Sequence, residues 1–335
     1  MDERGQKFAK YGWTLSETNL STLPETAPTG AKRLTEWLTL EGRRSSLVEW
    51  LGHCGDDSRI HGQFMGIGAW TGRMAHRAPN QANIPAEFHG TPKSAVEEVK
   101  AKYDGQFRAL WTVPEDSWLV GTDAEGIQLR VLAHLMNSEE YVNAIVSGKK
   151  EDETDIHNLN RKALGMSHVT RDMAKTFIYA LLYGAGDSKL GTVAGGGAKD
   201  GRVLRERFMC NLPAFASLKG RVAQKAACGR INGLDGRLLH IRSEHAALNT
   251  LLQSAGAIVM KKALCLLQEY AKLWGLDYYF VGNIHDEVQA EVRSDQADKY
   301  GRLAVSCLEA AGIELGLNCK LTGEYKVGSS WADTH

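Results

Sequence analysis

Along the chain, apolar residues first fall into helical spacing between residues 31 and 51, at Leu34, Trp37, Leu38, Leu47, Trp50 and Leu51. That period predicts one helix or a broken pair. Residues 1–30 before it are polar, with Pro24, Pro28 and Gly30 near the end, and predict a mobile leader with little structure. A short strand is expected over 60–64, and a charged helix or loop over 91–110. Between them, residues 79–85 form a turn-rich segment loaded with amide side chains, Gln81 among them. The apolar run 118–123 ends in an acid, which predicts a buried strand with Asp123 at its tip and a helix beginning almost at once at 126. From 139 to about 249 the pattern is mostly helical, broken by a turn at 233–236. Ser243 is placed to cap a long helix to about residue 272. Residues 278–284 and 288–292 predict a tight hairpin with His285, Asp286 and Glu287 at its tip, and a last helix is expected from 294 to about 315.

In the middle of the helical stretch, residues 170–184 read as a helix marked at both ends. Thr170 is a good N-cap, Asp172 complements the positive helix end, and Gly184 suits a left-handed stop. Arg171, Lys175 and Tyr179 lie along one slowly turning stripe, with Tyr183 one turn further. Two cations followed by two aromatics are unusual for a core face. They suit a triphosphate at the cationic end and a sugar and base at the aromatic end. A second stripe, His245, Asn249 and Gln253, puts uncharged donors on an otherwise apolar helix. Gly195, Gly196 and Gly197 lack both the Gly-Lys-Ser/Thr ending and the preceding strand of a phosphate loop, and predict a turn.

Composition narrows the picture in three ways. The 335 residues carry 40 basic and 40 acidic side chains, so any nucleic-acid site must be a local cluster. The six cysteines are scattered with no Cys-x-x-Cys pair, which points to reduced thiols rather than zinc or a disulfide framework. No apolar run approaches the ~18–20 residues of a membrane span.

Adjacent acids at a hairpin tip repel unless a cation or donor lies nearby. Asp123 on a second strand end would supply another carboxylate. Two acids on separate sheet edges, a cation-aromatic helix between them and amide-rich elements at two places fit two-metal phosphoryl transfer. Asp123 and Asp286 would then bridge two Mg2+ ions about 3.5–4 Å apart.

At this point the ordered motifs carry a resemblance. Asp123-x-x-Gly-x-x-Leu-Arg-x-Leu-Ala-His, then Arg171-x3-Lys175-x3-Tyr179-x3-Tyr183-Gly184, then His285-Asp286-Glu287, resemble motifs A, B and C of the family A DNA polymerases. Residues 176–186, 245–257 and His335 resemble the replicative polymerases of short-tailed phages within it. The resemblance covers roughly residues 31–335 and implies an α+β, right-hand polymerase fold: an antiparallel palm sheet, an inserted helical fingers domain and a truncated thumb. The divisions it implies are 1–57 (leader and residual thumb), 58–135 (palm, first part), 136–249 (fingers) and 250–335 (palm, second part).

It also implies roles. Asp123 and Asp286 would be metal ligands, with the carbonyl of Ala124 completing one site and Glu287 nearby. Arg171 and Lys175 would hold the triphosphate with His157 assisting, Tyr179 would pack on the sugar, and Tyr183 would sit beside the nascent pair. Arg73, Gln81, His245, Asn249, Gln253 and His285 would contact DNA, the minor-groove donors testing pair shape rather than base identity. The implied partners are primer–template DNA and dNTPs, with a separately encoded exonuclease or thumb polypeptide or a processivity factor, in the cytoplasm of an infected bacterial host. Two departures stand out. Gln128 replaces the family's glutamate beside the ribose 2′ position, as in the matching segment of single-subunit phage RNA polymerases. No exonuclease acid pattern is present, and only residues 31–57 offer thumb. An RNA polymerase-like enzyme and an inactive nucleic-acid-binding fragment are the alternatives, the acid after Asp286 arguing against the first and the intact acids and Lys175 against the second.

Overall fold

The computed structural model describes residues 15–20, 26–92 and 94–335. Of the expected leader, residues 1–14 and 21–25 lie outside the described residues, while α1 (Glu17–Leu20) is a single helical turn. The helical period after it is realised as one unbroken helix, α2 (Thr29–His53). The strand expected over 60–64 forms later, as β1 (Gln63–Met65), and pairs with β2 (Ala75–Arg77) in a two-stranded ribbon. Helix α3 (Ala95–Ala109) starts at Ser94, whose side chain accepts from the Glu97 amide. The acid-tipped strand is β3 (Ser117–Ala124), and α4 (Ile127–Met136) follows after one left-handed glycine, Gly126 at φ 57°.

Then come α5 (Glu139–Val146), α6 (Ile156–Leu164), α7 (Arg171–Leu182), α8 (Asp187–Val193), α9 (Ala198–Asn211) and α10 (Pro213–Ala226). The turn at 233–236 joins β4 (Arg230–Asn232) to β5 (Leu238–His240), an antiparallel hairpin within the helical stretch. The long helix differs at its start from expectation. Ser243 makes no side-chain cap; a 3-10 turn at Glu244–Ala246 intervenes, and α11 runs Ala247–Leu273. Strands β6 (Tyr278–Ile284) and β7 (Glu287–Arg293), α12 (Ala297–Glu314), β8 (Gly323–Gly328) and α13 (Trp331–Thr334) complete the order.

The described residues form two compact units. The smaller gathers the described residues among 26–64, 76–119 and 328–335, with 15–20. In it Arg43 forks onto the buried Asp104 carboxylate at 2.7 and 2.8 Å, joining α2 to α3. Trp50 packs edge-on against Phe107 and Trp111, and the Trp331 amide donates to the Trp111 carbonyl. The larger unit comprises 65–75 and 120–327 and holds a four-stranded sheet in the order β6-β7-β3-β8. Placing β3 between β7 and β8 brings segments remote in sequence onto one sheet. Its two central strands, β7 and β3, are the ones next to the acids.

Helix α11 is the apolar spine of this unit. With its 3-10 lead-in it is a 30-residue helix apolar and long enough to cross a membrane, which corrects the expectation that no such run exists. In the fold 67% of its most apolar window is buried inside the protein, so the apolar residues are used as core. All six cysteines are free, with Cys307 and Cys319 buried.

Candidate active site

The two acids meet at one end of the sheet. Ile284 pairs with Glu287, so His285 and Asp286 alone form the turn between β6 and β7. A two-residue hairpin turn demands positive φ, and His285 adopts it at 63°. For a side chain with a Cβ that conformation costs about 1–2 kcal/mol, spent where it aims the next residue, Asp286. The Ala124 amide donates to the Asp286 carbonyl at 3.0 Å, so the residues on either side of that bond, Asp123 and Asp286, are held close by backbone. On the other flank the Glu125 amide donates to the Thr322 carbonyl at 3.1 Å. A Cβ at Gly323 would lie 2.5 Å from the Asp123 carbonyl, so only glycine permits that approach.

Glu287 differs from the expected tip. It is the first residue of β7 and buried, and its Oε1 accepts from Gln289 Nε2 at 2.6 Å. The tip therefore carries one acid, because strand periodicity turns residue 287 to the face it shares with Gln289 and Glu291.

Burial pushes the Asp286 carboxyl above the usual carboxylate range, and the Arg73 guanidinium opposes that shift, with Nη2 3.5 Å from Oδ1. A hard cation fits such a place: it would offset the desolvation that one long contact to Arg73 offsets weakly. Among the described residues no three His, Cys, Asp or Glu side chains converge on one point. Asp123 and Asp286 thus provide one pair of carboxylates, which could hold a hard cation such as Mg2+ only with carbonyl, water or phosphate oxygens completing its shell.

Helix α7 has the capped start expected, with the Thr170 hydroxyl accepting from the Met173 amide at 3.2 Å. Its buried face is Ala174, Phe177, Ile178 and Leu181. Phe177 packs on Phe208 of α9 at 5.6 Å between ring centres, and Phe208 on Phe215 of α10 at 5.3 Å. That clamp leaves the opposite stripe, Arg171, Lys175, Tyr179 and Tyr183, on the accessible side. Gly184 follows at φ 77°, where a Cβ would also stand 3.2 Å from the His245 carbonyl. The His157 ring lies 6.5 Å from that of Tyr179. Burial, then the Arg171 and Lys175 charges, push the imidazole below its ordinary range and keep it neutral at pH 7. Burial first, with Tyr183 and Asp286 adding to it, raises the Tyr179 phenol, which stays a donor. Gln128, buried at the start of α4, donates from Nε2 to Tyr183 Oη at 2.9 Å.

The amide stripe is the accessible edge of the buried α11: Asn249 and Gln253 are half-buried, Gln253 donating to Asn249 Oδ1 at 3.0 Å, and His245 is exposed in the 3-10 turn. Arg73 ends a loop held by three cations that composition did not single out. Lys261 Nζ donates to the Gly66 carbonyl at 2.5 Å. Arg242 stacks on Trp70 at 3.7 Å, and the Arg237 guanidinium fills the space a Cβ at Gly72 would need. Gln81, also expected at the DNA, is buried in the smaller unit, its side chain against Gly62.

The sequence profile of DNA polymerase family A matches residues 1–333. This chain belongs to that family. The DNA-directed DNA polymerases of Enterobacteria phage T3 and Escherichia phage T7 are each 35% identical to it over 332 residues, covering 90% of this chain and 45% of theirs. The chain thus spans about half the length of these curated relatives. Among solved structures, the POL domain of Pol1 from M. smegmatis, in complex with DNA primer-template and dNTP, superposes with a TM-score of 0.78 at 23% identity. It covers 97% of this chain and 57% of that one, which establishes the shared fold.

Not every residue of the family A motifs faces the acids. Arg130 is buried, donating to the Glu125 carbonyl at 2.8 Å and the Lys320 carbonyl at 2.7 Å. His134 Nδ1 accepts from the Asn318 amide at 3.2 Å. Both tie α4 to the segment preceding β8. Missed by sequence reading was Asp155, on whose Oδ2 Arg171 rests; a good N-cap residue beside His157 was the only local signal.

Proposed function

We propose that this family A chain is the synthetic portion of a template-directed DNA polymerase, extending a primer 3′-OH with dNTPs. The observation that carries this reading is the Ala124–Asp286 backbone hydrogen bond, which sets two carboxylate residues side by side in the unit that also bears the Arg171-Lys175-Tyr179 stripe. Arg171 and Lys175 bind the triphosphate, with neutral His157 as a further donor. Tyr179 packs on the sugar. Arg73, Asn249, Gln253, His245 and His285 contact primer and template. The divisions 58–135 and 250–335 are assigned as palm, 136–249 as fingers and 1–57 as leader and residual thumb.

Asp123, Asp286 and the Ala124 carbonyl are the groups that would hold divalent metal, two Mg2+ ions in this reading. Bound Mg2+ would favour the primer alkoxide and offset charge on the leaving pyrophosphate. Lys175 adds a fixed positive charge for the same leaving group. The proposed partners are primer–template DNA, dNTPs and a separately encoded exonuclease, thumb polypeptide or processivity factor, in the cytoplasm of an infected bacterial host.

The test is primer extension by the full chain with four dNTPs and Mg2+. Asp123→Asn or Asp286→Asn is expected to lower single-turnover extension by about three orders of magnitude or more while primer–template affinity persists. Either variant retaining more than about a tenth of the parent rate defeats the assignment.

A further inference from the structure

Arg171 makes its closest contact not with a nucleotide-site residue but with Asp155, the N-cap of α6. Asp155 Oδ2 accepts from Arg171 Nε at 2.9 Å and also from Nη2. Its Oδ1 accepts from the Asn158 amide at 3.0 Å and from Asn158 Nδ2 at 2.7 Å. One buried carboxylate therefore takes four donors from two helix N-termini. Because a guanidinium is planar, fixing its Nε–Nη2 edge also fixes where Nη1 faces. Among the described residues Nη1 meets Asp172 at 3.7 Å, a side chain that is 92% exposed.

We infer that Asp155 is a positioning residue for phosphate binding: it holds the Arg171 guanidinium in one orientation and locks the first turn of α6, with His157, to the first turn of α7. The inference rests on the reading of α7 as the nucleotide helix. Two effects compete. A carboxylate near a triphosphate repels it, whereas an unanchored arginine must surrender rotamer freedom on binding. Four N–H groups already face this carboxylate, so little of its charge acts outward, and orientation wins. The Arg171 hydrogen bond and the Asn158 donors outweigh burial and keep Asp155 ionised well below neutral pH.

Asp155→Asn tests this, since asparagine caps a helix as well as aspartate but cannot form the ion pair. The readouts are equilibrium binding of mant-dATP to the full chain, its displacement by inorganic tripolyphosphate, and the melting temperature. The expected result is about tenfold weaker binding of both probes, ~1.4 kcal/mol, with the melting temperature moved by no more than a few degrees. Arg171→Ala should weaken binding too, and adding Asp155→Asn to it should change nothing further, because the carboxylate acts through the guanidinium. If Asp155→Asn melts far below the parent, Asp155→Ser, another capping residue, takes its place in the same cycle. Unchanged or tighter binding overturns the inference, as do additive losses in the double variant. If binding is unchanged yet Asp123→Asn still abolishes extension, the polymerase reading stands and this inference falls. If the parent binds mant-dATP through this pair but extends no primer, the reverse holds.

Discussion

Position 128 shows how much a single oxygen-for-nitrogen change alters in a fixed volume. The Gln128 amide donates to Tyr183 Oη at 2.9 Å from a site where it is buried. A glutamate there would reverse the hydrogen bond, accepting from the phenol with a full charge and holding the ring about twice as strongly. The side chain still fills the volume that, by the family resemblance, blocks a ribose 2′-OH. Sugar selection should therefore persist but be looser than a carboxylate would give. Gln128→Glu should sharpen deoxy-over-ribo selection by about tenfold, ~1.4 kcal/mol, and Gln128→Ala should lose most of it. Single-turnover incorporation of matched ribo- and deoxynucleotides decides this. Equal selectivity in all three proteins would place the gate elsewhere, and a parent preferring ribonucleotides would favour an RNA polymerase-like enzyme.

Helix α7 was legible from sequence because its signals are local. A capping threonine, a left-handed glycine stop and a 3.6-residue stripe lie within residues 170–184, and the structure keeps each of them. What holds the helix was not legible, because Phe208 and Phe215 arrive from α9 and α10 and Asp155 from α6. Glu287 shows the same limit: its place in the sequence beside Asp286 says nothing of which face of β7 it takes. The aromatic clamp should be the mechanical base of the nucleotide stripe. Phe208 is fully buried between Phe177 and Phe215, so Phe208→Ala should destabilise the fold by about 3–5 kcal/mol, and Phe208→Leu by less. Chemical denaturation measures the loss, and hydrogen exchange should show the α7 amides opening more often in the alanine variant. A loss below about 1 kcal/mol would mean that α7 is held some other way.

Charge at the scale of the whole molecule would make any interaction with DNA local. Forty basic and 40 acidic residues leave a formal net charge of zero, so no global field draws in a polyanion. Sequence could establish that much, but not where the cations gather. The loop before β2 is held by Arg237, Arg242 and Lys261, which come from the β4–β5 turn, the segment after β5 and α11, remote in the chain. With Arg73 they put four cations on this loop of the larger unit, and each phosphate neutralised contributes about −0.9 to the slope of log K against log salt. A slope of about −2 to −4 is therefore expected for duplex primer–template. Arg242→Gln should make it shallower by about one, weakening all sequences alike, while Asn249→Ala should weaken binding and leave the slope alone, because an amide releases no counterion. Fluorescence anisotropy titrations between ~50 and ~200 mM salt give the slope directly. A value near −10 would require a broad basic surface that the balanced composition and this one cluster do not supply.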